Sequence, residues 1–119
     1  MHFQDSFLAI IPARKGSKGI PGKNLKKIGG KPMIQFTIEA AISVISNENI
    51  IISSDDDSVI TLSKQLGLEV PFKRPENLST DTTKISEVIQ HSLDWYESNF
   101  NKLPSNIILL QPTSPFRSA

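Results

Sequence analysis

An open, doubly wound α/β fold, a parallel sheet with flanking helices, is what this 119-residue sequence predicts. Three observations carry the prediction. Segments that are apolar almost throughout, Phe7 to Pro12, Asn49 to Ser53 and Asn106 to Leu110, suit strands covered on both faces. Between them lie longer segments whose apolar residues recur at helical spacing. The two kinds alternate, joined by polar stretches that carry glycine and proline, as in a parallel sheet wrapped by helices.

Taken in order, Phe7 to Pro12 is a first buried strand, closed by proline. Ala13 to Lys31 carries Gly16, Gly19, Pro21, Gly22, Gly29 and Gly30, which excludes a regular helix and predicts a long, shaped connection. Long ordered connections are commonly functional. From Pro32 the spacing turns helical, proline being tolerated in a first turn, with Met33, Phe36, Ile38, Ala40, Ala41, Val44 and Ile45 forming a broad apolar surface. Asn49 to Ser53 reads as the next strand, Asp55 to Asp57 as a helix start, and Val59 to Leu66 as a short helix stopped at Gly67. A third strand is expected around Leu68 to Lys73. Beyond a connection containing Pro75, Asp81 to Thr83 offers caps for a helix running to about Phe100, with Ile85, Val88, Ile89, Leu93 and Tyr96 on one side. Asn106 to Leu110 completes the set, and the chain has neither a repeat of fixed period nor a low-complexity tract.

One domain over residues 1–119 is the expectation from length. A hydrophobic fraction of 38% and a charged fraction of 21% are ordinary for a soluble protein. No apolar run approaches the roughly 18 residues that suggest a membrane span. The start, MHFQDSFLAII, has an acidic residue and no basic one, so it reads as a strand rather than a signal peptide. Without cysteine there is no disulfide framework and no thiolate metal site, and a cytoplasmic address is expected.

The net charge of +1 hides a strong asymmetry. Arg14, Lys15, Lys18, Lys23, Lys26, Lys27 and Lys31 put seven of thirteen cations into 18 residues, and no Asp or Glu stands between Asp5 and Glu39. That stretch expects anions. A nucleic-acid patch is disfavoured, since no aromatic residue is interleaved and the rest of the chain is not basic. In parallel sheets ligands sit outside the carboxyl ends of the strands. Four segments fall there: the basic loop, Ser53 to Asp57, Lys73 to Asp81 and Gln111 to Arg117.

The loop reads ARKGSKGIPGKN. Backbone amides freed by glycine, together with lysine and arginine heads, can cradle a triphosphate. It is not a Walker A loop, because Gly22-Lys23 is followed by Asn24, and Gly-x-Gly-x-x-Gly does not occur. Phosphate binding is therefore favoured over a merely flexible basic loop.

IIPARKGSKGIPGKNLKKIGGKPMI resembles the first signature of the acylneuraminate cytidylyltransferases. RPENLSTDTT and LLQPTSPFR resemble the second and third, in the same order, so the likeness runs from about residue 8 to the end of the chain. It implies a Rossmann-like fold of the nucleotide-diphospho-sugar transferase type and transfer of CMP from CTP to an acidic nine-carbon sugar, with release of pyrophosphate. Arg14 and Lys23 would be catalytic. Arg14, Ser17, Lys18, Lys23, Asn24 and Arg74 would hold the nucleotide, and Gln111 would face the sugar acid. It also implies magnesium and a homodimer in a complete enzyme about twice this length, whose metal ligands and dimerisation arm lie beyond this stretch. The 119 residues alone are expected to bind CTP weakly or not at all.

The related KDO cytidylyltransferases use a loop like R-x-x-S-x-R-L-P-G-K-P-L. Here Gly19 and Ile20 stand in place of Arg-Leu, and Asn24 in place of the proline. That favours the acylneuraminate branch without separating sialic, legionaminic and pseudaminic acids. The competing class is a non-catalytic α/β fragment that binds a nucleotide or phosphate.

The residue chemistry is compatible. Arg14 follows a buried strand, where its planar fork can meet phosphate oxygens bidentately, whereas Lys23 is a movable point charge. Lys15, Lys26 and Lys27 are expected to be solvated. Asp55, Asp56 and Asp57 suggest magnesium ligands, but capping of the following helix is the simpler reading. Asp81 is open between a helix cap and a nucleotide contact, and the hydroxyls of Ser79, Thr80, Thr82 and Thr83 stay unassigned. His91, Trp95 and Tyr96 read as packing residues. Arg117, close to the end of the sequence, reads as solvated.

Overall fold

The apolar runs build a three-stranded sheet in the computed structural model, which describes residues 7–15 and 23–112. Its strands are β1 (Phe7–Pro12), β4 (Ile50–Ser53) and β5 (Asn106–Leu109), in the order β4-β1-β5. Both pairings are parallel. Ala9 stands opposite Ile50 and Pro12 opposite Ser53 on one side, while Phe7 meets Asn106 and Ile10 meets Leu109 on the other.

Alternation along the strands assigns the side chains to two cores. Ala9, Ile11, Ile50 and Ile52 pack with Ile34, Ile38 and Ala41 of α1 (Met33–Ile42) and with Val59 of α2 (Asp57–Gln65). Leu8, Ile10 and Ile51 face the opposite way, onto Tyr96, Ile89 and Leu93 of α3 (Ile85–Phe100). Helices thus cover both faces of a parallel sheet, which is the doubly wound arrangement.

Two expectations about elements need correction. Leu68 to Lys73 belongs to no strand. Leu68 is buried, Val70 and Phe72 are half-buried, and Glu69, Pro71 and Lys73 are exposed, so the period of two is real. A ladder is not formed, and Pro71 has no amide hydrogen to give one. Secondly, α3 starts at Ile85 rather than directly after Asp81 to Thr83. Its first turn is closed by Glu87, whose carboxylate accepts from the Lys84 amide at 2.8 Å while the Glu87 amide donates back to the Lys84 carbonyl at 3.0 Å.

The predicted connection after β1 contains a feature that spacing did not reveal. Lys27–Ile28 (β2) and Lys31–Pro32 (β3) pair antiparallel about Gly29 and Gly30. Both glycines have positive φ, 62° and 84°, as a tight two-residue hairpin requires. The hairpin leads directly into α1, and the Met33 amide donates to the Lys26 carbonyl at 2.9 Å.

Candidate functional site

The carboxyl ends of β1 and β4 lie side by side, and the residues leaving them converge. Ser53 and Ser54 are fully buried although polar, and the oxygens of both accept hydrogen bonds. The Ser53 carbonyl accepts from the Ala13 amide at 2.9 Å, which carries the pairing of β1 with β4 one residue further. Ser54 Oγ accepts from the Asp56 amide at 3.0 Å, and the Asp56 carboxylate then caps α2 by accepting from the Ser58 amide at 2.9 Å.

Arg74 fastens this corner. Only 4% exposed, it donates from Nε to Ser53 Oγ (3.1 Å), from Nη2 to the Ser53 carbonyl (2.8 Å) and from Nη1 to the Leu78 carbonyl (3.2 Å). Its own amide donates to the Ser54 carbonyl at 2.7 Å. Burial draws its pKa below the usual arginine value, Asp55 opposes that shift, and Arg14 adds to it. A guanidinium stays charged regardless. Arg74 is therefore a buried strut joining β4 to the segment that precedes α3, with all three guanidinium nitrogens committed to the protein.

Arg14 stands where β1 releases the chain. Its carbonyl accepts from Asn24 Nδ2 at 3.0 Å, and Asn24 is itself buried, so the two ends of the basic loop are held together. The Arg14 side chain is 22% exposed and forms an ion pair through Nη1 with Asp81 Oδ1 at 2.9 Å. The next amide, of Lys15, donates to Asp55 Oδ1 at 2.7 Å. Three parts of the chain distant in sequence, Arg14 and Lys15 with Asn24, residues 53–56 and residues 74–81, thus meet at the carboxyl end of the sheet.

Of the residues predicted for a site, Arg14, Asn24 and Arg74 are brought together here. Ser17 and Lys18 lie outside the described residues, and Lys23 begins a 3-10 turn (Lys23–Leu25) of which only its backbone is described. Gln111 follows β5. Continuing the register of Ile10 with Leu109 puts it level with Pro12, on the far side of β1 from Ser53. It is exposed and borders an apolar groove between α1 and β5, lined by Phe36, Ala40, Val44, Ile45 and Ile108.

The basic stretch divides. Lys15, Lys26 and Lys27 are exposed. Lys31 is tied to α1, pairing with Glu39 at 2.8 Å and lying 5.0 Å from the centroid of Phe36. Of the three consecutive aspartates, Asp55 takes the Lys15 amide, Asp56 caps α2 and Asp57 pairs with Lys73 at 3.1 Å. Their carboxylates diverge to separate partners, and among the described residues no group of three or more acidic, histidine or cysteine side chains could hold a metal ion. The described residues do not fit a magnesium site.

Residue spacing missed the pairing of Arg14 with Asp81 and the anchoring of Lys15 by Asp55. Both join elements far apart in sequence, and the only local signal was a carboxylate in each of the segments expected at the strand ends.

Comparison with known proteins shows the family and the fold. The family model described as cytidylyltransferase matches residues 8–117. CMP-N,N'-diacetyllegionaminic acid synthase of Legionella pneumophila is 41% identical over 110 residues, covering 92% of this chain and 47% of that protein. N-acylneuraminate cytidylyltransferase of Escherichia coli is 38% identical over 112 residues, covering 94% of this chain and 25% of its own length. A solved structure of CMP:2-keto-3-deoxy-manno-octonic acid synthetase complexed with CTP superposes with a TM-score of 0.69 at 26% identity, over 93% of this chain and 42% of that one. The chain spans about half or less of the length of these relatives. No helix among the described residues is long and apolar enough to cross a membrane.

Proposed function

The chain belongs to the cytidylyltransferase family, and on that premise we propose that it is the nucleotide-holding part of an enzyme transferring CMP from CTP to a nonulosonic acid of the sialic acid type. In that reaction the sugar's anomeric hydroxyl oxygen bonds to the α-phosphorus and gives up its proton. The bond from the α-phosphorus to the bridging oxygen breaks, and pyrophosphate leaves. Charge grows on the phosphoryl oxygens and on the leaving group, so fixed cations contribute most at that point.

The observation that carries the reading is the placement of Arg14. A guanidinium stands at the carboxyl end of the central strand, where ligands of parallel sheets bind, on a loop whose ends are clamped by Asn24. Lys23, with Ser17 and Lys18, would complete the phosphate contacts from the same loop. Gln111, level with Pro12 across β1, would meet the sugar acid. Magnesium in the complete enzyme would take its ligands from outside the described residues, and the role given to Arg14 does not depend on it.

Among sugar acids, Asn24 favours the acylneuraminate branch over the KDO one. The bond from its side-chain amide to the Arg14 carbonyl cannot be made by the proline of the KDO loop pattern, which has no side-chain donor. Calorimetric titration with CTP, ATP and GTP tests the proposal. Weak, CTP-selective binding is expected, reduced at least tenfold in Arg14→Ala, and binding without preference for CTP, or none, would overturn it.

A further inference from the structure

Asp81 is a carboxylate that the fold does not consume. The turn that carries it is closed by other groups: the Thr80 amide donates to Thr83 Oγ1 at 3.0 Å, the Thr83 amide donates to the Thr80 carbonyl at 3.2 Å, and the Thr80 hydroxyl bonds those of Thr82 and Thr83 at 3.2 and 2.9 Å. The helix that follows is capped by Glu87. Asp81 is 63% exposed at its side chain, yet it reaches across to Arg14 Nη1 at 2.9 Å. An exposed carboxylate held against one arginine, on a turn already complete without it, is poorly explained by stability, since exposed ion pairs contribute little.

The turn itself is well placed. Arg74 grips the Leu78 carbonyl three residues before Asp81 and the β4 terminus with its other nitrogens. The position of Asp81 is thereby referred to the sheet through a buried strut. Arg14 emerges from the adjacent strand of that sheet. The pair engages Nη1, one of the two terminal nitrogens of a planar fork that offers five donor hydrogens.

We propose that Asp81 is a positioning residue for Arg14: it fixes the plane and reach of the guanidinium so that the remaining donors are aimed at the phosphates of a nucleotide. The inference rests on the nucleotide-holding role assigned to Arg14 above. An arginine with several rotatable bonds loses much freedom on meeting a phosphate, and a partner that holds it beforehand removes part of that loss. Simple charge makes the opposite prediction, because removing a carboxylate beside an anion site strengthens anion binding. The sign of the effect therefore discriminates between the two.

The test uses the full chain, with Asp81→Asn, Arg14→Ala, the double variant, and Asp57→Asn as a control that removes an exposed aspartate paired to Lys73 elsewhere. Binding of CTP and of inorganic tripolyphosphate is measured calorimetrically. The Arg14 Nε–H resonance, identified by its disappearance in Arg14→Lys, is followed by NMR. Asp81→Asn is expected to shift or broaden that resonance and to weaken CTP about tenfold. Asp57→Asn should do neither, and the double variant should be no weaker than Arg14→Ala alone. An unmoved resonance, an affinity within twofold of wild type, or tighter binding in Asp81→Asn would each overturn the proposal. If wild type binds tripolyphosphate but not CTP, the nucleotide reading fails and Asp81 is judged on tripolyphosphate. If it binds neither, both fall.

Discussion

At the residue scale, Arg74 binds three segments of the fold into one corner. Each guanidinium nitrogen has an acceptor within the protein, and 4% exposure leaves little room for another. Replacing it with alanine removes charge-assisted bonds from Ser53 and Leu78, for a loss of about 3 kcal/mol of stability measured by urea unfolding. Arg74→Lys keeps the charge but cannot span the same acceptors, so it should recover only part of that loss. His91 supplies the pH dependence. Its ring meets Phe72 edge-on at 4.7 Å, and Nδ1 is enclosed without a hydrogen-bond partner among the described residues. Burial lowers its pKa, Arg74 lowers it further, and Asp94 opposes both. A histidine whose folded pKa lies below the unfolded value contributes fully above about pH 6.5, and that contribution is lost as pH falls from there through the folded pKa. Urea midpoints for wild type should therefore fall between pH 7.5 and pH 5 more steeply than for His91→Gln. Parallel slopes would show that His91 is not the titrating group.

Elements formed where the sequence said they would when their cause was local. Asp56 is the clearest case, a side-chain cap with the chain in an extended conformation, and Asp56→Ala should cost about 1 kcal/mol in thermal or urea unfolding. The first strand, Phe7–Pro12, was legible because burial on both faces demands uninterrupted apolar residues. Gly67 ends α2 with φ of 100°, again a local requirement. What could not be read depends on partners distant in the chain. The stretch from Leu68 to Lys73 has the burial alternation of a strand, but whether a ladder forms beside it is decided by its neighbours. Asp81 looked like a cap because caps are local, whereas the residue that claims it lies 67 positions earlier at Arg14. The Gly29-Gly30 hairpin was the exception, since its signal was local and was absorbed into the longer glycine-bearing loop. The site follows the same division: its place at the strand ends came from fold logic, and its pairings came only from the folded chain.

At the scale of the whole molecule the two edges of the sheet differ. β4 is capped by buried serines and the Arg74 strut, and its residues are buried throughout. β5 pairs with β1 on one side and has the burial of a half-covered strand, with Ile107 40% exposed. Beside it, just past the end of α1, Val44 is 81% exposed, and a groove of about 760 Å³ runs between the helix and the strand. Parallel strands are ordinarily covered on both faces, and an apolar groove continuous with a strand edge that is unpaired among the described residues favours association. Sedimentation of the chain should show a mean mass that rises with concentration. A Val44→Lys variant places a charge on the wall of the groove and should hold the mass at the monomer value, with the unfolding midpoint nearly unchanged because that side chain is exposed. Since Arg14 and Asp81 stand at the carboxyl end of the sheet, away from Val44, nucleotide affinity should be the same in the variant as in wild type. A loss of affinity together with dissociation would mean instead that the β5 edge and the end of the sheet carrying Arg14 act as one surface.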